Sequence, residues 1–125
     1  MDKIKSFEDL KCWQEARVLR NQIKDLIQTF PDYEKYELIS QMRRASRSVT
    51  HNIAEGYGRF HYKENIQFCR TSRGSLYELL DQLITANDEN YIDNDKLEAY
   101  KKQITNCLSL LNGYINYLKR AAKNN

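Results

Sequence analysis

With one proline, four glycines and no stretch in which apolar and polar residues alternate, the sequence has nothing from which to build a sheet. A glycine-rich phosphate loop after a strand is excluded with it. Histidine is equally sparse. Neither His51 nor His61 has a glutamate three residues before it, so the Glu-x-x-His pairs of a carboxylate-bridged di-iron bundle are missing. The three cysteines, Cys12, Cys69 and Cys107, are odd in number and far apart, with no Cys-x-x-Cys spacing for zinc, and they read as buried free thiols. A calcium loop beginning at Asp88 would put Ile92 at a ligand position and Asp93 where glycine is required. No metal and no cofactor are therefore expected. No apolar run approaches the ~20 residues that span a bilayer, and Met1 to Leu10 has no apolar signal core, so the expected location is the cytoplasm, away from membrane.

What is present is a chain of 125 residues, 41% hydrophobic and 30% charged, the balance of one soluble domain over residues 1–125. Its periodicity is helical from end to end. Cys12, Ala16, Leu19, Ile23, Leu26 and Phe30 recur at steps of four and three, which predicts a first helix preceded by a Ser6/Asp9 capping box and stopped near Phe30 by Pro31. Leu38, Met42, Ala45, Val49, Asn52 and Gly56 form the seam of a second helix beginning around Tyr33 to Glu37. Gly56 and Gly58 offer a left-handed cap at its end. Cys69, Ser72, Leu76, Leu79, Leu83 and Ala86 mark a third helix, whose small Ser72, Gly74 and Ser75 predict close approach of a neighbour. Asn87 to Asp95 reads as a connector with Tyr91 and Ile92 folded back and Asp93 or Asp95 as the next cap. Leu97, Tyr100, Ile104, Cys107, Leu111, Tyr114 and Leu118 then mark a fourth helix. Long helices with short connections predict an all-α, antiparallel up-and-down four-helix bundle.

Net charge is only +3, so where the charge sits matters more than its sum. Acidic residues crowd Asp88 to Glu98, while Arg43, Arg44, Arg47, Arg59, Lys63, Arg70 and Arg73 fall mid-chain. Arg43, Arg44 and Arg47 lie on the side of the second helix away from its seam, with Lys63, Arg70 and Arg59 as extensions of that face. Such a face suits phosphate, which guanidinium groups bind in pairs of hydrogen bonds, and Tyr57, Phe60 and Tyr62 are near enough in sequence to stack on unpaired bases. An ordinary solvated face with salt bridges to Glu34, Glu37 or the acidic connector of another subunit accounts for the same residues.

Asn52 on the seam and Glu55 beside Gly56 need partners, which backbone amides or an arginine such as Arg44 or Arg73 would supply; Gly56, Ser75 and Glu78 join the same expected internal network. The structural role, fixing register, is favoured over ligand binding.

Several short motifs occur together in order: Phe7 to Leu10 (FEDL) with Trp13 and Ala16, Phe30-Pro31, Tyr36 to Leu38 (YEL), Gln41 to Ala45 (QMRRA), Ser48-Val49, Asn52 to Gly56 (NIAEG), and Gly74 to Leu76 with Glu78-Leu79. In this order and spacing the chain resembles the four-helix bundle proteins also known as 23S ribosomal RNA intervening-sequence proteins, a bacterial family of unknown function. It is similar in plan to the accessory variability determinant of diversity-generating retroelements. The resemblance covers nearly the whole chain. It implies a homopentamer with a basic surface suited to RNA or DNA and, by analogy with the accessory relatives, a reverse transcriptase as partner. The positions that match the pattern are Arg43, Arg44, Asn52, Glu55, Gly56, Ser75 and Glu78. Ser72 departs from the alanine usual there, and Arg47 and His51 sit where the family varies.

Two classes of function follow. The first is a non-catalytic, oligomeric nucleic-acid-binding or adaptor protein using the arginine face. The second is an RNase of the HEPN type, with Arg44 and His51 on one helix for proton transfer and phosphorane stabilisation, although Ala45 stands where that motif carries a polar residue. A purely structural scaffold between proteins is the remaining alternative.

Overall fold

Four stretches of helical periodicity become four helices in the computed structural model, which describes residues 4–124. They are α1 (Lys11–Ile27), α2 (Leu38–Tyr57), α3 (Tyr62–Asp88) and α4 (Asn94–Lys123), with short 3-10 turns at Phe7–Asp9 and Asp32–Glu34. Each helix packs on its neighbours in sequence, and α1 closes the ring against α4. The two ends of the bundle show the direction of each helix. At one end Phe30, following α1, packs its ring 5.1 Å from that of Tyr91 in the α3–α4 connector. At the other, Leu10 before α1, Tyr57 ending α2, Tyr62 opening α3 and Leu118 late in α4 surround one pocket. Successive helices therefore run antiparallel, up and down, as their spacing predicts.

The core is continuous through the bundle. Ile23, Met42, Cys69, Leu79 and Leu83 are fully buried, and the remaining apolar residues of the predicted α1 and α3 seams are buried with them. Each large aliphatic side chain taken out of water there contributes roughly 1.5–3 kcal/mol. In α4, Ile115 takes the fully buried place, while Tyr100 and Tyr114 are half-buried at its edge. In α2 the seam drifts likewise: Ile53 is buried and Asn52 is half-exposed beside it.

Helix ends depart from the sequence reading in four places. α1 stops at Ile27 rather than Phe30, because Thr29 and Phe30 turn back onto the carbonyls of Leu26 and Ile27, and the Thr29 hydroxyl donates to the Leu26 carbonyl at 2.7 Å. The capping box of Ser6 and Asp9 is present, but it closes the 3-10 turn before α1. α2 begins at Leu38, whose amide donates to Glu34 Oε1 at 3.4 Å; Glu34 also accepts from the Tyr91 hydroxyl at 2.7 Å, tying this turn to the connector. Gly58 ends α2 with φ −76°, so no left-handed cap exists there. The left-handed residue is Asn90, φ 65°, after α3. Its amide reaches the Asn87 carbonyl while that of Tyr91 reaches Ala86, the paired bonds of a Schellman ending.

Gly56 is small for a different reason. A Cβ built there would lie 2.6 Å from Asn65 Oδ1 and 2.9 Å from Phe68 Cβ, so only glycine admits α3 this closely. Ser72 and Ser75 are buried on the facing side of α3, as close approach requires, and the Ser72 hydroxyl donates to the Val49 carbonyl at 2.8 Å. Gly74, predicted to share that role, faces open space.

Candidate nucleic-acid interface

α2 shows a polar stripe opposite its buried one. Arg43, Arg44, Arg47, Ser48, His51 and Asn52 recur at helical spacing and line a shallow groove of about 440 Å³. Beside it, Arg20 and Lys24 of α1 meet Arg43 and Arg47 around a smaller depression of about 140 Å³ between the two helices. Five cations thus share one side of the bundle. The Arg20 guanidinium donates to Thr50 Oγ1 at 2.9 Å, which holds it against α2. Among the described residues the salt bridges are Arg59 with Glu55 and Glu64, and Lys101 with Glu98, so none engages these five.

Arg20 and Lys24 were not among the sequence candidates. They flank the α1 seam at a spacing of four, which shows that they share a face, but which helix that face adjoins is a property of the bundle. Conversely, neither depression is lined by Arg59, Lys63, Arg70 or Arg73. Arg59 lies at the α2–α3 turn, 3.0 Å from Glu55 and over the Phe68 ring at 4.8 Å. Lys63 is exposed in the first turn of α3, and Arg70 is exposed farther along it. Arg73 donates to Asn112 Oδ1 at 2.8 Å and so faces α4.

The expected internal network exists with different members. Asn52 Nδ2 donates to both the carbonyl and the hydroxyl of Ser48 at 2.9 Å, and Ser48 Oγ lies 2.8 Å from Ser75 Oγ. Ser75 in turn donates to the Thr71 carbonyl at 3.2 Å. Asn52 and Ser75 take part in it, Ser48 is the hub that sequence reasoning missed, and Gly56 lies apart against Asn65. Glu55 and Glu78 are not members: both are exposed, Glu55 pairing with Arg59 and Glu78 lining an α2–α3 cleft with Arg44, Asp81 and Gln82. That correction follows from helical angle. Residues three places beyond Asn52 and Ser75 have turned toward water.

At the α2–α3 turn a separate pocket of about 450 Å³ opens among Tyr57, Phe60, His61, Tyr62 and Tyr117, with Leu10 and Leu118 inside the bundle end. Tyr114 also lines it, its hydroxyl accepting from Asn65 Nδ2 at 3.0 Å. Burial pushes the Tyr114 hydroxyl up to about 12.

The cysteines are free and buried, as predicted. Burial pushes Cys12 and Cys69 up to about 12 and Cys107 up to about 11, so none is a nucleophile near neutrality. Among the described residues no three His, Cys, Asp or Glu side chains converge as a metal site.

Comparison with protein families matches residues 8–113 to the model described as 23S rRNA-intervening sequence protein. Among curated proteins nothing matches the chain.

Proposed function

The chain belongs to the 23S rRNA-intervening sequence protein family, and we propose that it is a non-catalytic protein that holds the phosphate backbone of RNA or DNA in the grooves of α1 and α2. The observation that carries this reading is the gathering of Arg20, Lys24, Arg43, Arg44 and Arg47 on one side without a carboxylate lining either groove. Arginine offers phosphate a fixed fork of donors and releases its counterions on contact. If all five cations engage duplex DNA, log K falls with log salt at a slope of about −4.5.

The proposal includes self-assembly, a pentamer on the family resemblance. Tyr36 is 85% exposed and Tyr33 74%, surface that further subunits would cover. A reverse transcriptase is the protein partner to test first, by the same resemblance. The proposed location is the cytoplasm; no described helix is long and apolar enough to cross a membrane.

The test is binding to structured RNA, single-stranded RNA and duplex DNA at two salt concentrations, with the products examined for cleavage. Salt-sensitive binding that is lost in an Arg43/Arg44/Arg47 triple alanine variant of unchanged assembly supports the reading. Absence of binding sinks it in favour of a protein scaffold. Metal-independent cleavage abolished by His51→Ala would favour the RNase instead, since Arg44 and His51 line one groove.

A further inference from the structure

The pocket at the α2–α3 turn is built unlike the arginine grooves. Phe60 is 91% exposed, Tyr117 55% and Tyr62 37%, and all three line it. Phe60 and His61 meet in a T-shaped pair with ring centroids 4.9 Å apart. A ring held this way forgoes the burial that retains Phe30 in the core and Phe7 against it. Deeper in, the lining combines apolar Leu10 and Leu118 with the Tyr114 hydroxyl. That hydroxyl accepts from Asn65, and among the described residues nothing accepts its own proton. Because burial raises Tyr114 to about 12, the proton stays in place as a donor. Flat aromatic walls around a few directional polar groups, in about 450 Å³, make a site for a planar heterocycle rather than for a helix or an extended peptide.

The charge around it narrows the choice. Lys63 and Glu64 line the adjoining depression with Phe60 and Tyr62, Arg59 lines the pocket itself while paired with Glu55 and Glu64, and α4 ends close by with the exposed Arg120 and Lys123 in its last turn. His51 in the arginine groove and Tyr57 in this pocket lie six residues apart on α2, about 9 Å along the helix axis. Six residues also turn about 120° around that axis, so a strand joining the two sites must curve around α2 as well as run along it.

We propose that this pocket takes one unpaired nucleobase from the strand whose backbone lies in the arginine groove, Phe60 and Tyr117 stacking on the base and Tyr114 donating to its edge. The inference rests on the nucleic-acid reading above and adds selectivity to it: paired bases hide their faces within the duplex, so only a bulge, loop or single strand can fill the pocket.

The experiment uses the full chain with two duplexes, one fully paired and one carrying a single bulged 2-aminopurine, at one salt concentration. The bulged duplex should bind about 5- to 150-fold tighter, the range that stacking of one base gives, with its fluorescence quenched. Phe60→Ala and Tyr117→Ala should each remove most of that preference while leaving paired-duplex affinity and its salt dependence unchanged. Tyr114→Phe, which keeps the ring, should remove a smaller part. The Arg43/Arg44/Arg47 variant should weaken both duplexes alike and keep the preference. Equal affinity for the two duplexes, or a preference that survives Phe60→Ala and Tyr117→Ala, overturns the base pocket and leaves the groove standing. Binding of neither duplex removes both. Free 2-aminopurine nucleotide saturating the pocket without any preference for the bulged strand assigns it to a free nucleotide and overturns the strand-bound form.

Discussion

The hydroxyl of Ser48 on α2 lies 2.8 Å from that of Ser75 on α3, where it links the Asn52 side chain to the Thr71 carbonyl in one line of hydrogen bonds. Each member donates onward: Asn52 to Ser48, Ser48 to Ser75, Ser75 to Thr71. Removing Ser48 leaves Asn52 short of an acceptor and Ser75 short of a donor at a half-buried contact. Ser48→Ala should cost about 1–2 kcal/mol in urea unfolding, and the Ser48/Ser75 double-mutant cycle should show a coupling of roughly 0.5–1.5 kcal/mol. Strict additivity of the two alanine substitutions would remove the link from the account.

Two glycines on facing helices should respond in opposite directions. Gly56→Ala puts a methyl 2.6 Å from Asn65 Oδ1 and 2.9 Å from Phe68 Cβ, and should destabilise the bundle by about 1–3 kcal/mol through separation of α2 and α3. Gly74→Ala meets nothing within 4 Å and gains helix propensity, so it should stabilise by up to about 1 kcal/mol. Thermal melts of the two variants read both signs, and a neutral Gly56→Ala would refute the close approach.

The buried thiols make stability fall in alkali. Their folded pKa values, about 11 to 12, lie above the ordinary 9.0, so the folded state keeps protons that the unfolded chain gives up. The contribution is whole below pH 9, then declines by about 1.4 kcal/mol per pH unit for each thiol until pH passes the folded values. Replacing Cys107 by alanine should flatten that slope between pH 9 and 11, measured by urea unfolding at each pH. At pH 7.5 a thiol reagent should label native protein only as fast as the bundle opens.

Arg20 and Lys24 should matter to binding although they stand on a different helix from the arginine cluster. Each alanine variant should lower the salt slope by about 1 and weaken RNA and DNA of any sequence alike. Lys101→Ala, paired with Glu98 on α4, serves as the control and should leave the slope unchanged. Equal slopes for all three variants would separate α1 from the interface.

The number of helices, their direction and most of the core could be read from sequence because steps of three and four determine which side of a helix faces inward. Cys12 through Phe30 and Cys69 through Ala86 are buried as their spacing requires. Exact angle was harder. One residue of drift in α2 puts Ile53 inside in place of Asn52, and the same rotation carries Glu55 to the surface, where Arg59 holds it. Side-chain partners across helices were not legible at all: Ser48 with Ser75, Arg20 with Thr50 and Arg73 with Asn112 join residues 27 to 39 positions apart. The arginine cluster of α2 was visible as a run, whereas the contribution of α1 to it required the bundle. Asn90 shows the limit at turns, since asparagine and glycine both take the left-handed region and the sequence carries more glycines near Gly58 than it uses for that purpose.

The ring order of the helices sets an expected sequence of events in time. α2 and α3 share the most extensive interface across a turn of only four residues, whereas α1 and α4 meet only after three intervening connections have closed. Local pairing costs less chain entropy than distant closure, so the α2–α3 hairpin is expected to form the folding nucleus and the α1–α4 contact to lock last. In stopped-flow experiments Ser72→Ala should mainly slow folding, and Cys107→Ala should mainly speed unfolding. The reverse pattern would place the nucleus at the far closure.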